Sequence, residues 1–338
     1  MANAREDQFL GALLGMAIGD ALGMPVRGMS RADLIATHGK LTTYLPGRTA
    51  DGAEIGRGEF TEESEITLCI VESLTANGGV VDVDNIGARL TYLARGESKR
   101  WMSPDTLAAL ETADETLNFQ VPVNEDAPAT GEVASRGVAI GLLHAIGTLD
   151  DAAFRADAEA VTRLTHGSPA AIAAATAVAY AVRLATRDET PRRNWAAAVA
   201  AFLQTGELAE RLLLADELLQ AGTPVDEAIA HLGTGEAAAE SVPAAMLAAL
   251  TAATFAEAVL TAVNAGGATD TIGAIAGALA GAAGGVNDIP QPFIDDLEGR
   301  IYVSLAAPWF FRAVLLKSGE VIDLRRREPP RPSMPPRI

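Results

Sequence analysis

Residues 264–285 read NAGGATDTIGAIAGALAGAAGG. The alanines after Thr271 favour helix, and no apolar-polar alternation competes with that reading. Gly273, Gly277 and Gly281 recur every fourth position, which places them on one helical face. An interior glycine costs a helix about 1 kcal/mol relative to alanine, so three at this spacing imply a neighbour that comes too close for a β-carbon. A matching face lies near the start of the chain, where residues 6–24 form a first helix with Gly11, Gly15 and Gly19 at the same spacing. Packing the two small faces together would carry the acidic start Thr269-Asp270-Thr271 toward the loop that follows the first helix.

Working outward, the 338 residues are 49% hydrophobic but only 5% aromatic, so the apolar content is mostly Ala, Leu, Val and Ile. That composition suits helices packed closely on helices, and the expected fold is all-α, a single compact multi-helix domain. Helices are expected at roughly 62–77, 82–95, 104–118, 133–147, 151–165, 168–187, 193–204, 206–221, 225–232, 243–264, 270–284, 291–299 and 302–312. Residues 313–324 alternate apolar and polar around Ser318-Gly319, which suggests one small C-terminal hairpin. The domain is therefore expected to span residues 1–324. Residues 325–338 form a Pro- and Arg-rich tail with too little apolar content to fold alone.

The formal charge of −18 argues against nucleic acid and anionic lipid as partners, because both need clustered Lys and Arg. A bound anion would instead need a local positive device, such as a metal ion or a helix N-terminus. Cys69 is the only cysteine, so no intrachain disulfide is available. The N-terminal segment is interrupted by Asp20 and flanked by Arg5, Glu6 and Asp7, unlike a cleavable leader. Residues 271–286 are too short and glycine-rich to span a bilayer. A cytoplasmic protein without a membrane span is expected.

Two acidic helix starts stand out. In Thr61-Glu62-Glu63-Ser64-Glu65, preceded by Glu59, a threonine N-cap and a first acidic turn account for most of the pattern. Four carboxylates in seven residues exceed what capping needs, and they repel one another unless solvent or a cation intervenes. Hard divalent cations take such oxygen ligands. The second start is Thr269-Asp270-Thr271. Elsewhere, His144 reads as a core or boundary residue, His38 and His231 as surface positions, Trp101 as a loop anchor and Cys69 as a buried, inert thiol.

At these residues the chain resembles a known family. GALLGMAIGDALGMPV (11–26), FTEESEITL (60–68), LTHGSP (164–169) and GGATDTIGAIAGALAGA (266–282), in this order and separation, are similar to the ADP-ribosylglycohydrolases, which include the dinitrogenase reductase-activating enzymes. The likeness runs from about Asp7 to Pro308. It implies an all-helical domain with two magnesium or manganese ions in a cleft, and release of ADP-ribose by cleavage at the anomeric carbon of the distal ribose. The family's Thr-Asp-Asp falls on Thr61, Glu62 and Glu63, and its Gly-Gly-Asp-Thr-Asp-Thr on residues 266–271. Thr61, Glu62, Glu63, Asp270 and Thr271 are thereby implied as metal ligands, with Glu62 or Glu63 as general base. Asp20, Arg27, His166 and Gly267 are implied at or beside the substrate.

The departures carry chemistry of their own. Ala268 stands where the family has a ligating aspartate, Arg27 where it often has a glutamate, and GEVASR (131–136) where it has a ligand-holding Gly-Asn-Gly-Ser-like loop. One lost carboxylate and one gained guanidinium disfavour a second divalent ion. One Mg2+ or Mn2+ is expected rather than two, or none if Arg27 takes its place and neutralises Glu62 and Glu63. The expected function is metal-assisted hydrolysis of an N- or O-ribosyl bond in an ADP-ribosylated or small-molecule substrate. The alternative is a family member that binds a nucleotide-like ligand or a partner protein without hydrolysis.

Overall fold

The computed structural model describes residues 4–48, 52, 54–120, 124–187 and 189–319. The chain runs through α1 (Glu6–Gly23), α2 (Arg31–His38), α3 (Glu62–Ala76), α4 (Val83–Ala94), α5 (Pro104–Thr116) and α6 (Gly131–Ser135). It continues through α7 (Gly137–Leu143), α8 (Asp151–Arg163), α9 (Pro169–Thr186), α10 (Trp195–Leu203), α11 (Glu207–Gln220) and α12 (Val225–Leu232). The last helices are α13 (Ala238–Thr251), α14 (Phe255–Val263), α15 (Thr269–Gly284), α16 (Gln291–Asp295) and α17 (Arg300–Lys317). Among the described residues, the sheet structure is one two-residue antiparallel pair, β1 (Gly47–Arg48) with β2 (Glu54–Ile55).

The centre of the molecule is the antiparallel pair α1 and α15. A β-carbon built on Gly11, Gly15, Gly19 or Gly23 would overlap the carbonyl oxygen of Gly281, Gly277, Gly273 or Thr269 respectively, and Gly273, Gly277 and Gly281 of α15 meet α1 reciprocally. The small-residue spacing thus becomes a backbone-to-backbone seam, as expected from sequence. The remaining helices wrap this pair, and both seam helices are buried along nearly their whole length. Residues 6–26 and α9 are apolar and long enough to cross a membrane by composition, yet 83% and 72% of their most apolar windows are buried inside the protein, as befits core helices.

Several boundaries differ from expectation. Residues 243–264 are two helices, α13 and α14, because Ala252 turns extended and Thr254 caps a new start by accepting from the Glu257 amide at 3.2 Å. Residues 133–147 break at Arg136 between α6 and α7 and stop at His144. The short α2 was not expected. The hairpin over 313–324 is corrected: residues 313–317 continue α17, whose inward side buries Phe310, Ala313 and Val314. Residues 320–324 and the tail 325–338 lie outside the described residues.

Candidate functional site

The seam fixes what its ends deliver. Thr269 donates its hydroxyl to the Gly23 carbonyl at 2.8 Å, tying the last turn of α1 to the first of α15. Past Gly23, Gly28 donates its amide to the Gly267 carbonyl at 2.8 Å, and Gly267 donates to Met29 at 2.8 Å. Gly267 has φ of +76° and a β-carbon there would strike the Thr234 carbonyl, so the close chain crossing requires glycine here. Arg27, between these ties, is held beside the first turn of α15.

The start of α3 is brought to the same place by Asp20. Thr61 was expected to cap its own helix, but its side chain makes no such bond. The carboxylate of Asp20, from α1, does the capping: Oδ2 accepts from the amides of Thr61 at 2.9 Å and Ser64 at 3.3 Å, and from the Ser64 hydroxyl at 2.7 Å. Asp20 is fully buried behind Thr61, where it supports the start of α3.

Thr61 Oγ1 lies 2.8 Å from both Asp20 Oδ1 and Glu63 Oε2. A hydroxyl has one proton to donate, so one of the two carboxyls must supply the other. Burial and the field of Glu63 push Asp20 well above the carboxylate range, which favours the shared proton on Asp20. Thr61 is then free to donate to Glu63, whose other oxygen accepts from the Thr271 hydroxyl at 2.7 Å. Glu63 therefore has both oxygens engaged by threonines from opposite ends of the sequence.

Glu62 and Asp270 behave differently. Glu62 Oε1 and Asp270 Oδ2 share one guanidinium nitrogen, Arg27 Nη1, at 3.3 and 3.1 Å. The Asp270 contact is close enough for an ion pair but is not aligned as a hydrogen bond, and both Asp270 Oδ2 and Glu62 Oε2 are left without a hydrogen-bond donor. Burial first, then Glu63, raises Glu62 well above its ordinary value and Asp270 to about 7. Their proximity, Asp270 foremost, keeps Arg27 firmly charged. The Nε and Nη2 edge of Arg27 faces outward, donating to the two oxygens of Glu236 at 3.3 Å each. Sequence reasoning missed Glu236, which sits in a Gly-rich turn and carries no motif.

A second polar cluster adjoins this one through α6. Arg136 is fully buried and donates to Glu132 Oε1 at 3.1 Å, Thr106 Oγ1 at 3.2 Å and Thr165 Oγ1. Burial alone would raise Glu132, but Arg136 and hydroxyl donors hold it below its ordinary value. The Thr165 hydroxyl lies 2.9 Å from His166 Nδ1, and the buried Nε2 of the same ring has no hydrogen-bond partner. Burial, then Arg136, lowers His166 to about 4, so it is neutral. The stretch expected as a ligand-holding loop is thus a helical turn closed by an internal ion pair. His144 is near the boundary, 2.8 Å from Asp157, Trp101 is a buried anchor, and burial pushes Cys69 up to about 12.

Each oxygen of Glu63 already accepts from a threonine hydroxyl, Ala268 offers only a buried methyl, and the place between Glu62 and Asp270 is filled by Arg27 Nη1. Among the described residues, no group of three or more His, Cys, Asp or Glu side chains is arranged to hold a metal ion. As arranged, the residues fit a guanidinium and not a divalent ion.

The two acidic helix starts thus meet at one end of an all-helical seam, and residues 1–320 match the ADP-ribosylglycohydrolase family model. The chain belongs to the ADP-ribosylglycohydrolase family. It is 32% identical to the uncharacterized protein YegU of Escherichia coli K12 over 318 residues, covering 87% of this chain and 92% of that one. It is 26% identical to the ADP-ribosyl-[dinitrogen reductase] glycohydrolase of Rhodospirillum rubrum over 303 residues, covering 88% and 92%. A solved structure described as an ADP-ribosylglycohydrolase-related protein complex superposes with a TM-score of 0.69 at 26% identity, covering 92% of this chain and 99% of that one.

Proposed function

We propose that this chain hydrolyses the N- or O-glycosidic bond of an ADP-ribosyl or related ribosyl group, with Glu62 and Asp270 as the reacting carboxyls. The observation that carries the reading is their convergence: two buried acids from distant parts of the sequence each keep one oxygen free of hydrogen-bond donors beside a shared cation. Burial raises Glu62 well above its ordinary value, which suits it to protonate a leaving group. Asp270, near 7, supplies the complementary carboxylate to orient water or face the charge that develops at the anomeric carbon. Glu63, Thr61 and Thr271 hold the two helix starts in register.

Release of free ADP-ribose from ADP-ribosyl-arginine and ADP-ribosyl-serine peptides tests this. Wild type is expected to release it, with Glu62→Gln and Asp270→Asn each losing about 100-fold or more, the scale of a lost general acid or base. A second reading, binding without hydrolysis, is favoured by the contact of Arg27 with both carboxyls, since an ion-paired carboxylate is a weaker base. Saturable binding of ADP-ribose with no release from either peptide would select it.

A further inference from the structure

We infer that Arg27 is the resident cation of the cleft and that Glu236 is the positioning residue that keeps it there, so the cleft excludes a divalent ion. The inference rests on the reading of this cleft as the functional site, though not on hydrolysis. Three buried acids, Glu62, Glu63 and Asp270, meet here. Buried carboxyls gathered this closely repel one another whenever more than one is ionised, so the group favours a cation beside it. Among the described residues, Arg27 is the only basic side chain in an ion pair with Glu62 or Asp270.

Arg27 reaches the buried acids from the surface, its side chain 30% exposed, and divides its donors by edge. Nη1 points inward to Glu62 and Asp270, while Nε and Nη2 form a fork on the two oxygens of Glu236, itself half exposed. A planar guanidinium gripped along one edge cannot turn its other nitrogen away without breaking both bonds. The grip is itself fixed. The Glu236 carbonyl accepts from Gly131 at 2.9 Å, Ala238 donates to Ala129 at 2.8 Å, and Gly235 donates to Glu240 at 2.8 Å. The turn bearing Glu236 is therefore pinned to the start of α6, and Arg27 is clamped between a buried acid pair and a rim acid. An ion reaching the free oxygens of Glu62 and Asp270 would have to displace Nη1 and then sit beside its charge.

Mn2+ alone is the probe, read without substrate by its paramagnetic resonance signal and by the melting temperature, which leaves the result independent of any hydrolysis. Wild type is expected to show no saturable Mn2+ site in the millimolar range. Arg27→Gln should acquire one, with a Mn2+-dependent rise in melting temperature that Asp270→Asn removes. Glu236→Gln lies at the rim, where folding is not at stake. It is expected to show a saturable Mn2+ site in the millimolar range, where wild type shows none, and Glu236→Asp, which keeps the charge, should return toward exclusion. Saturable Mn2+ binding by wild type that is lost in Asp270→Asn overturns the inference. Folded Arg27→Gln without a Mn2+ site overturns the assignment of Arg27, and exclusion unchanged in Glu236→Gln overturns the role of Glu236.

Discussion

Gly19 and Gly273 face each other backbone to backbone, each placed so that a β-carbon on it would overlap the other's carbonyl oxygen. Alanine normally favours a helix over glycine by about 1 kcal/mol, so the sign of a substitution here separates contact from propensity. Gly19→Ala and Gly273→Ala are expected to destabilise by about 3 kcal/mol or more, the upper end for overpacking, because neither partner atom is a side chain that can swing aside. Urea midpoints measure it; a neutral or stabilising alanine at both positions would contradict the seam.

Asp20 acts as a cap supplied by another helix. Asp20→Ala leaves the buried amides of Thr61 and Ser64 without an acceptor, at a cost of about 1–3 kcal/mol for each group left unsatisfied. Hydrogen exchange at those two amides should quicken more than in the rest of α3. Uniform protection loss across the helix would instead indicate general destabilisation.

Glu65 offers a pH test away from the cleft. Burial raises it from 4.5 to about 7, despite a hydrogen bond from Ser98 at 2.9 Å. The folded chain thus binds this proton more tightly than the unfolded chain. The corresponding stability is complete below the unfolded value and is lost as pH rises through the folded value. Wild type should therefore fall behind Glu65→Gln as pH rises from about 4.5 to 7. Denaturant midpoints at acid and alkaline ends of that window measure the gap; a gap independent of pH would reject the shift.

The Glu132–Arg136 pair is wholly internal, and its geometry makes the two residues interdependent. Arg136→Met alone is expected to cost about 3–5 kcal/mol by stranding a buried carboxylate. Adding Glu132→Gln should recover part of that cost, a coupling of about 1 kcal/mol or more in a double-mutant cycle. Strict additivity would show that the pair is not coupled.

What could be read from residues alone follows from how local the physics is. The α1–α15 pairing was legible because a backbone contact requires glycine every fourth residue on both partners. The convergence of residues 61–63 with 270–271 follows from that pairing and from the acidic excess at both starts. Glu236 was not legible, because its role depends on a turn pinned across the molecule by the Thr130–Ala237 bridge. Arg136 looked like part of an altered loop, and only packing shows it fully buried. The split at Ala252 was hidden by an uninterrupted apolar pattern, and the short alternation after Ala313 gave way to the continuing helix of α17.

Because Gly23 abuts Thr269 and Gly28 is tied to Gly267, the backbone at position 27 is delivered to one spot whatever side chain it bears. The scaffold is in this sense a socket with an exchangeable plug. On the inference drawn above, arginine there carries the charge that the buried acids favour, and any other side chain would meet the same acids from the same backbone position. Changes of chemistry in such a cleft can accumulate one residue at a time, while the two central helices keep the same grip on each other.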